Sequence, residues 1–283
     1  IARDLHRSGY IAYPRLWQWL ARLEGKDKLI KAGEYDLDRA LTPAQLLAVL
    51  VAGDVQLRSL VIVEGSTVSQ MLNVIEQAPR LQQTLTSADA DNLLAALGLP
   101  AGHAEGRFFP DTYRYAAGET DAAILRQAHA RMAQELEAAW QQRAADLPYK
   151  APYELLTMAS IIEKETGAAS DRAQISQVFA RRLSIGMRLQ TDPTVIYGIG
   201  SAFDGDIRSR DLVTDTPYNT YTRHGLPPTP ISLPGKAALE AAAHPADGDY
   251  LYFVSRGDGT SAFSRTLAEH NAAVRRYQLN RRS

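Results

Sequence analysis

Glu163 and Glu165 close the stretch ASIIEKETG, residues 159–167, as two carboxyls two positions apart at the end of an apolar run. A carboxylic acid donates a proton near neutral pH only if its surroundings hold it protonated, and burial against apolar side chains does so. Residues three, four and seven apart share a helix face, so Leu155, Met158, Ala159 and Ile162 form a stripe that Glu165 continues. Helical side chains lean back over the preceding turn. Glu165 therefore lies across Ile161 and Ile162, and Glu163 across Ala159 and Ser160. The apolar bed and the negative end of the helix dipole predict a raised pKa for Glu165. Two ordinary last-turn charges fit the same pattern, Glu163 more readily than Glu165, and Lys164 is expected to face solvent.

Further along, Gln190-Thr191-Asp192-Pro193-Thr194 sets Asp192 before a proline, the arrangement of an N-cap. TPYNTYTRHGLPPTPIS brings Tyr218, Asn219, Thr220 and Tyr221 together, and hydroxyls and amides beside aromatic faces suit sugar rings as well as a rigid loop. The 6 histidines show no paired zinc-type spacing, so no metal is assigned. His270 is read first as a core histidine and second as a pocket donor. Nucleophilic-serine, dinucleotide and Walker motifs are absent.

Those groups need elements to hold them. Residues 151–165 and 171–185 read as helices, the second closed by Gly186. Residues 190–235, rich in Thr, Asp, Pro, Gly and Tyr, form a long irregular stretch of the kind that carries function. GDYLYFVSR and TSAFSRT read as hairpin strands around GDG, followed by a helix with Leu267, His270, Val274 and Tyr277. Upstream, residues 1–25 predict two short helices, KAGEYDLD a short strand, and Thr42–Gln45 a capping box whose helix Gly53 ends. Residues 55–63 predict a strand, and 66–147 a mainly helical region, with a long helix over 121–145, broken by EGRFFPDTYRY. The expected architecture is α+β, a small module over 1–58 and a larger domain over 59–283.

Composition narrows the classes. Lys plus Arg number 31 against 32 for Asp plus Glu, so a net charge of −1 gives no global field for nucleic acid. Cysteine is absent, which excludes disulfides, thiol chemistry and Cys-ligated metals. No apolar run of about 18 residues spans a bilayer. Ile1 stands inside an amphipathic pattern, IARDLHRSGYI, from which an upstream signal or anchor is expected.

Seven motifs, VEGSTVSQML, EGRFFPDTYRY, ASIIEKET, SIGMRLQTDPTVIYG, PYNTYTRHGLPPTPIS, AAAHPADGDYLYFV and FSRTLAEHN, follow one another along essentially the whole chain. Together they resemble the YceG-like family of endolytic murein transglycosylases. The resemblance implies a LysM-like subdomain over 1–58 and a YceG-like catalytic domain over 59–283. It implies that Glu165, the second acid of EKET, is catalytic, with Gln190, Asp192, Tyr197, Tyr218, Asn219, Tyr221, Ser264 and Glu163 as candidates for holding glycan. The implied reaction is non-hydrolytic cleavage of the β-1,4 bond between MurNAc and GlcNAc in nascent peptidoglycan, giving 1,6-anhydroMurNAc ends, without cofactor or metal. A single N-terminal anchor in the bacterial inner membrane, a periplasmic catalytic region and penicillin-binding synthases as partners belong to the same expectation. Two alternatives stay open: a hydrolytic muramidase using Glu165 with Asp192 or Glu163, and a non-catalytic wall-binding scaffold. A pyridoxal-dependent lyase, a label some members have carried, is discounted, since no lysine sits in a recognisable phosphate-binding setting. After EKET the chain continues GAAS, where Gly167 has no reading beyond ending the helix.

Overall fold

The computed structural model describes residues 1–31, 33–35, 37, 41–53, 55–85, 92–165 and 168–279. Helix N-termini leave four N–H groups without intrahelical partners, so proline or a capping side chain there costs nothing and fixes the start. After α1 (Ala2–Arg7), α2 (Pro14–Leu23) begins at such a proline. In α3 (Pro43–Ala52) the capping box forms as the sequence predicts, Thr42 and Gln45 bonding each other's backbone, and Gly53 ends the helix at φ 73°. Trp17 anchors α2 by donating from Nε1 to the Pro43 carbonyl at 2.9 Å. It packs with Ala21, Leu46, Leu47 and Leu50. Of KAGEYDLD, residues 31, 33–35 and 37 take no strand conformation, and 32, 36 and 38 lie outside the described residues.

β1 (Leu57–Val61) is followed by α4 (Val68–Glu76), α5 (Leu93–Ala96) and β2 (Thr112–Ala116), with β1 and β2 paired in a two-stranded sheet. The strand character of DTYRY is a finding the sequence reading did not make. Its signal was present as alternation, since Tyr113 and Tyr115 are buried while Thr112 and Arg114 are exposed. Residues 1–60, 75–84 and 112–124 make one compact unit, and residues 61–74, 85–111 and 125–283 a second.

The second unit contains most of α6 (Asp121–Gln142) and then α7 (Pro152–Glu165), α8 (Ala169–Ser184), α9 (Asp192–Ile199), α10 (Ser209–Val213) and α11 (Lys236–Ala243). It closes with β3 (Tyr252–Ser255), β4 (Ser261–Ser264) and α12 (Leu267–Val274). β3 and β4 form an antiparallel hairpin with Tyr252 opposite Ser264 and Ser255 opposite Ser261. The strands and helices together make a mixed α+β chain.

α7 is the core helix, buried at every position from Leu155 to Ile162. It can be, because α11 offers Ala238, Ala241, Ala242 and Ala243, whose small side chains let two backbones approach closely, while Ile175 and Phe179 of α8 fill the flank. Each fully buried Leu, Ile or Phe there contributes roughly 1.5–3 kcal/mol. Thr157 and Ser160 interrupt the core, and Ser160 ties in a loop. Ser160 donates to the Thr157 carbonyl at 2.7 Å and accepts from Ile231 N–H at 3.0 Å, while the Ser232 hydroxyl donates to the Ser160 carbonyl at 3.0 Å. α7 is thus tied at Ser160 to the loop carrying Ile231 and Ser232.

Candidate active site

Glu165 ends α7 at the wall of an open cleft of about 600 Å³, shared with Arg182 of α8, Gln190, Asp192, Tyr221 and His270. Its Oε1 accepts a hydrogen bond from the Thr191 hydroxyl. Burial pushes the Glu165 carboxyl up to about 7. The Thr191 hydrogen bond opposes that rise, the Asp192 charge adds to it, and Arg182 opposes it. The raised acid expected from the apolar bed is present, and its second source is a neighbouring carboxylate that helical spacing did not include.

The N-cap of α9 is Thr191, not Asp192 as the sequence reading had it. Asp192 stands at the first helical position, where its carboxylate accepts from the Tyr221 hydroxyl at 2.5 Å. Thr191 gives its own hydroxyl to Glu165 instead of to the helix, and its N–H is held by the Thr220 hydroxyl at 3.1 Å. Gln190 precedes it in the left-handed region at φ 51°, which a non-glycine residue adopts at a cost on the order of 1 kcal/mol. Its N–H donates to the Thr220 carbonyl at 3.2 Å, so the strained residue is clamped in the cleft wall.

Arg182 was missed by motif reading. It is 6% exposed, donates from Nε to the Leu251 carbonyl at 2.7 Å and from Nη1 to the Leu189 carbonyl at 2.5 Å, and sets its guanidinium 5.3 Å from the Tyr252 ring. The signal was an arginine on the apolar face of a helix, four and three positions after Val178 and Phe179. His270 stacks on Tyr252 with ring centroids 5.2 Å apart and lines the cleft. Burial, with Arg182 adding, lowers its pKa.

The cleft brings together Glu165, Gln190, Asp192 and Tyr221, but its walls include none of Glu163, Tyr197, Tyr218, Asn219 and Ser264. Asn219 is fully buried and serves its own loop, donating to the carbonyls of Asp211, Leu212 and Thr214 and accepting from Tyr221 N–H at 2.9 Å. Ser264 is a buried strand residue. Glu163 accepts from Gly235 N–H, the N-cap of α11, at 2.9 Å; burial raises its pKa, that bond lowers it and Glu64 raises it. Lys164 is exposed, as expected, and reaches the Gly65 carbonyl at 3.2 Å. Tyr197 and Tyr218 meet edge to face with centroids 4.9 Å apart. Tyr197 donates to Glu105 at 3.1 Å, and the Tyr218 hydroxyl bonds that of Thr229 at 2.9 Å.

A second groove of about 620 Å³, between α6, α8 and α11, is lined largely by alanines. Among the described residues no group of three or more His, Cys, Asp or Glu could hold a metal, and no helix is long and apolar enough to cross a membrane.

A helix-terminal acid facing a cleft, with the α+β frame behind it, defines the class: the chain belongs to the YceG-like family, whose sequence profile matches residues 1–276. It is 30% identical to the endolytic murein transglycosylase of Bacillus subtilis over 98% of this chain and 81% of that protein. To the enzyme of the same name from Streptococcus pneumoniae it is 27% identical over 97% of this chain, spanning 55% of that protein. A crystal structure of a yceG-like protein from Listeria monocytogenes superposes with a TM-score of 0.64 at 30% identity, covering 96% of this chain and 94% of that one.

Proposed function

We propose that the protein is a peptidoglycan lytic transglycosylase that uses Glu165 as its one acid and base. The observation that carries this reading is a carboxyl held near 7 in the wall of an open cleft, with a single hydroxyl donor among the described residues. Protonated Glu165 gives its proton to the glycosidic oxygen between MurNAc and GlcNAc as the bond from that oxygen to C1 of MurNAc breaks. The resulting carboxylate takes the proton of the C6 hydroxyl on the same MurNAc, and O6 closes on C1. The products are a GlcNAc hydroxyl end and a 1,6-anhydroMurNAc end, and Glu165 regains its proton without water entering. The sugar's own N-acetyl group would help stabilise the charge at C1. Gln190, Asp192 and Tyr221 are the candidates that share the cleft and would hold the glycan.

Residues 1–58 are read as a LysM-like subdomain and 59–283 as the catalytic domain. A helix upstream of this region would anchor it in the inner membrane with the cleft in the periplasm, acting on strands newly made by penicillin-binding synthases and limiting their length. The names of the relatives and the family match support the peptidoglycan substrate.

Incubation with uncross-linked glycan strands and weighing of the products tests the reaction. Anhydro ends, lighter by one water than reducing ends, are expected. Reducing ends alone would favour a muramidase using Glu165 with Asp192. Binding without cutting would favour a scaffold.

A further inference from the structure

α2 buries Trp17 and Ala21 and leaves another apolar face open. Leu16, Trp19 and Leu23, at i, i+3 and i+7, are 63%, 62% and 67% exposed, and Tyr13 at the N-cap is 73% exposed. Nothing in the core explains side chains of this size on one face of a ten-residue helix. Single exposed apolar residues are ordinary, but an aligned stripe marks an interaction surface. The helix carries no acidic residue, and Arg15 and Arg22 lie one above the other beside the stripe. The ion pairs of this stretch join Asp4 to the Ile1 amine and to Arg7, and Glu24 to Lys26. Arg15 and Arg22 take part in none among the described residues.

We infer that this face of α2 docks on an anionic lipid bilayer, with the helix in the interfacial plane. Tryptophan and tyrosine prefer that level of a membrane, leucines enter the acyl boundary, and arginines meet acidic headgroups. A second copy of the chain is disfavoured because it would bring the arginine rows of two helices together. A glycan strand offers aliphatic Leu16 and Leu23 no matching surface. The inference is independent of the reaction assigned to Glu165, because its readout is lipid binding and none of its residues lines the cleft.

The test is flotation of the whole 283-residue chain with vesicles of phosphatidylethanolamine and phosphatidylglycerol, and with phosphatidylcholine alone. Wild type is expected to float with the anionic vesicles at least about tenfold more than with phosphatidylcholine, and less at high salt. The variant Leu16→Ser/Trp19→Ser/Leu23→Ser should lose that binding, and Arg15→Gln/Arg22→Gln should lose the preference for anionic lipid. These positions are exposed, and circular dichroism checks the fold. On wild type, acyl-brominated phosphatidylglycerol should quench tryptophan fluorescence, and Trp19→Phe should remove most of the quenching. Equal flotation on both lipids, undiminished binding by the stripe variant, or absence of quenching overturns the inference. So does a lipid-free dimer that the stripe variant dissociates, or a stripe-dependent attachment to isolated peptidoglycan without one to vesicles.

Discussion

Glu105 and Glu165 are both lifted to about 7, both chiefly by burial, yet they occupy opposite kinds of surroundings. Glu105 is 4% exposed. It receives Val68 N–H at 3.0 Å at the start of α4 and the Tyr197 hydroxyl at 3.1 Å from α9, with Gly106 N–H as a further donor. Its oxygens are engaged by the protein, and it lines none of the cleft. Glu165 has one hydroxyl donor among the described residues and a wall position facing open space. A raised pKa therefore does not identify a proton donor. It must coincide with a free direction toward which the proton can leave. Glu105 fixes architecture by joining α4, the EGRFF loop and α9, the helix that follows Thr191 and begins at Asp192.

The largest effect that separates the two is on cutting. Glu165→Gln should lower kcat about a hundred- to ten-thousandfold while the protein stays folded, whereas Glu105→Gln should leave more than about a tenth of the rate. Mass spectrometry of released glycan ends measures both, and equal loss in a folded Glu105→Gln protein would break the distinction. Stability should rank them the other way. Glu105→Leu strands a helix N-terminal N–H, a loop N–H and a phenol, at about 2–4 kcal/mol, and Glu165→Gln should change urea stability by less than about 1 kcal/mol.

The pH dependence sharpens the contrast. Each carboxyl has a folded pKa above its ordinary value of 4.5. Their contribution to stability is then complete below about pH 4.5 and is lost as pH rises through about 7, on the order of 3 kcal/mol for Glu105. Glu105→Gln should flatten the stability curve in that window. Cutting should fall as pH rises above about 7, because the donor must be protonated. Thr191→Val removes the bond that favours the ionised form, so the alkaline fall should move to higher pH, while Tyr197→Phe should leave it in place. A small effect is also expected on stability in Tyr197→Phe, about 1 kcal/mol, read by urea denaturation.

Much of this site was legible because its key residue obeys a local rule. Glu165 extends the Leu155, Met158 and Ile162 stripe, and a 3.6-residue period is enough to place it over an apolar bed. Thr42 with Gln45 sets a helix start for the same reason, its partner being three residues away, and Pro14 sets one by its own fixed φ. What the sequence hid depends on partners far along the chain. Thr191 reads as an unremarkable residue before Asp-Pro until it is found against Glu165. Arg182 looks like one of two adjacent arginines until the carbonyls of Leu189 and Leu251 are found around it. Tyr218 and Asn219 shared a suggestive composition with Tyr221, but composition does not say which side of a loop faces the cleft. Glu105 gave no signal, since a Glu-Gly pair in a loop is ordinarily solvated.

Gly106, next to Glu105, is at φ 79°, and a Cβ there would lie 2.5 Å from Pro230. The peptide after Glu105 can meet the PPTPIS loop only because that side chain is missing. The Thr191 donor likewise depends on Thr220. The surroundings of Glu165 are thus completed from outside its own helix: the hydroxyl it accepts comes from Thr191, and Thr191 is itself held by Thr220.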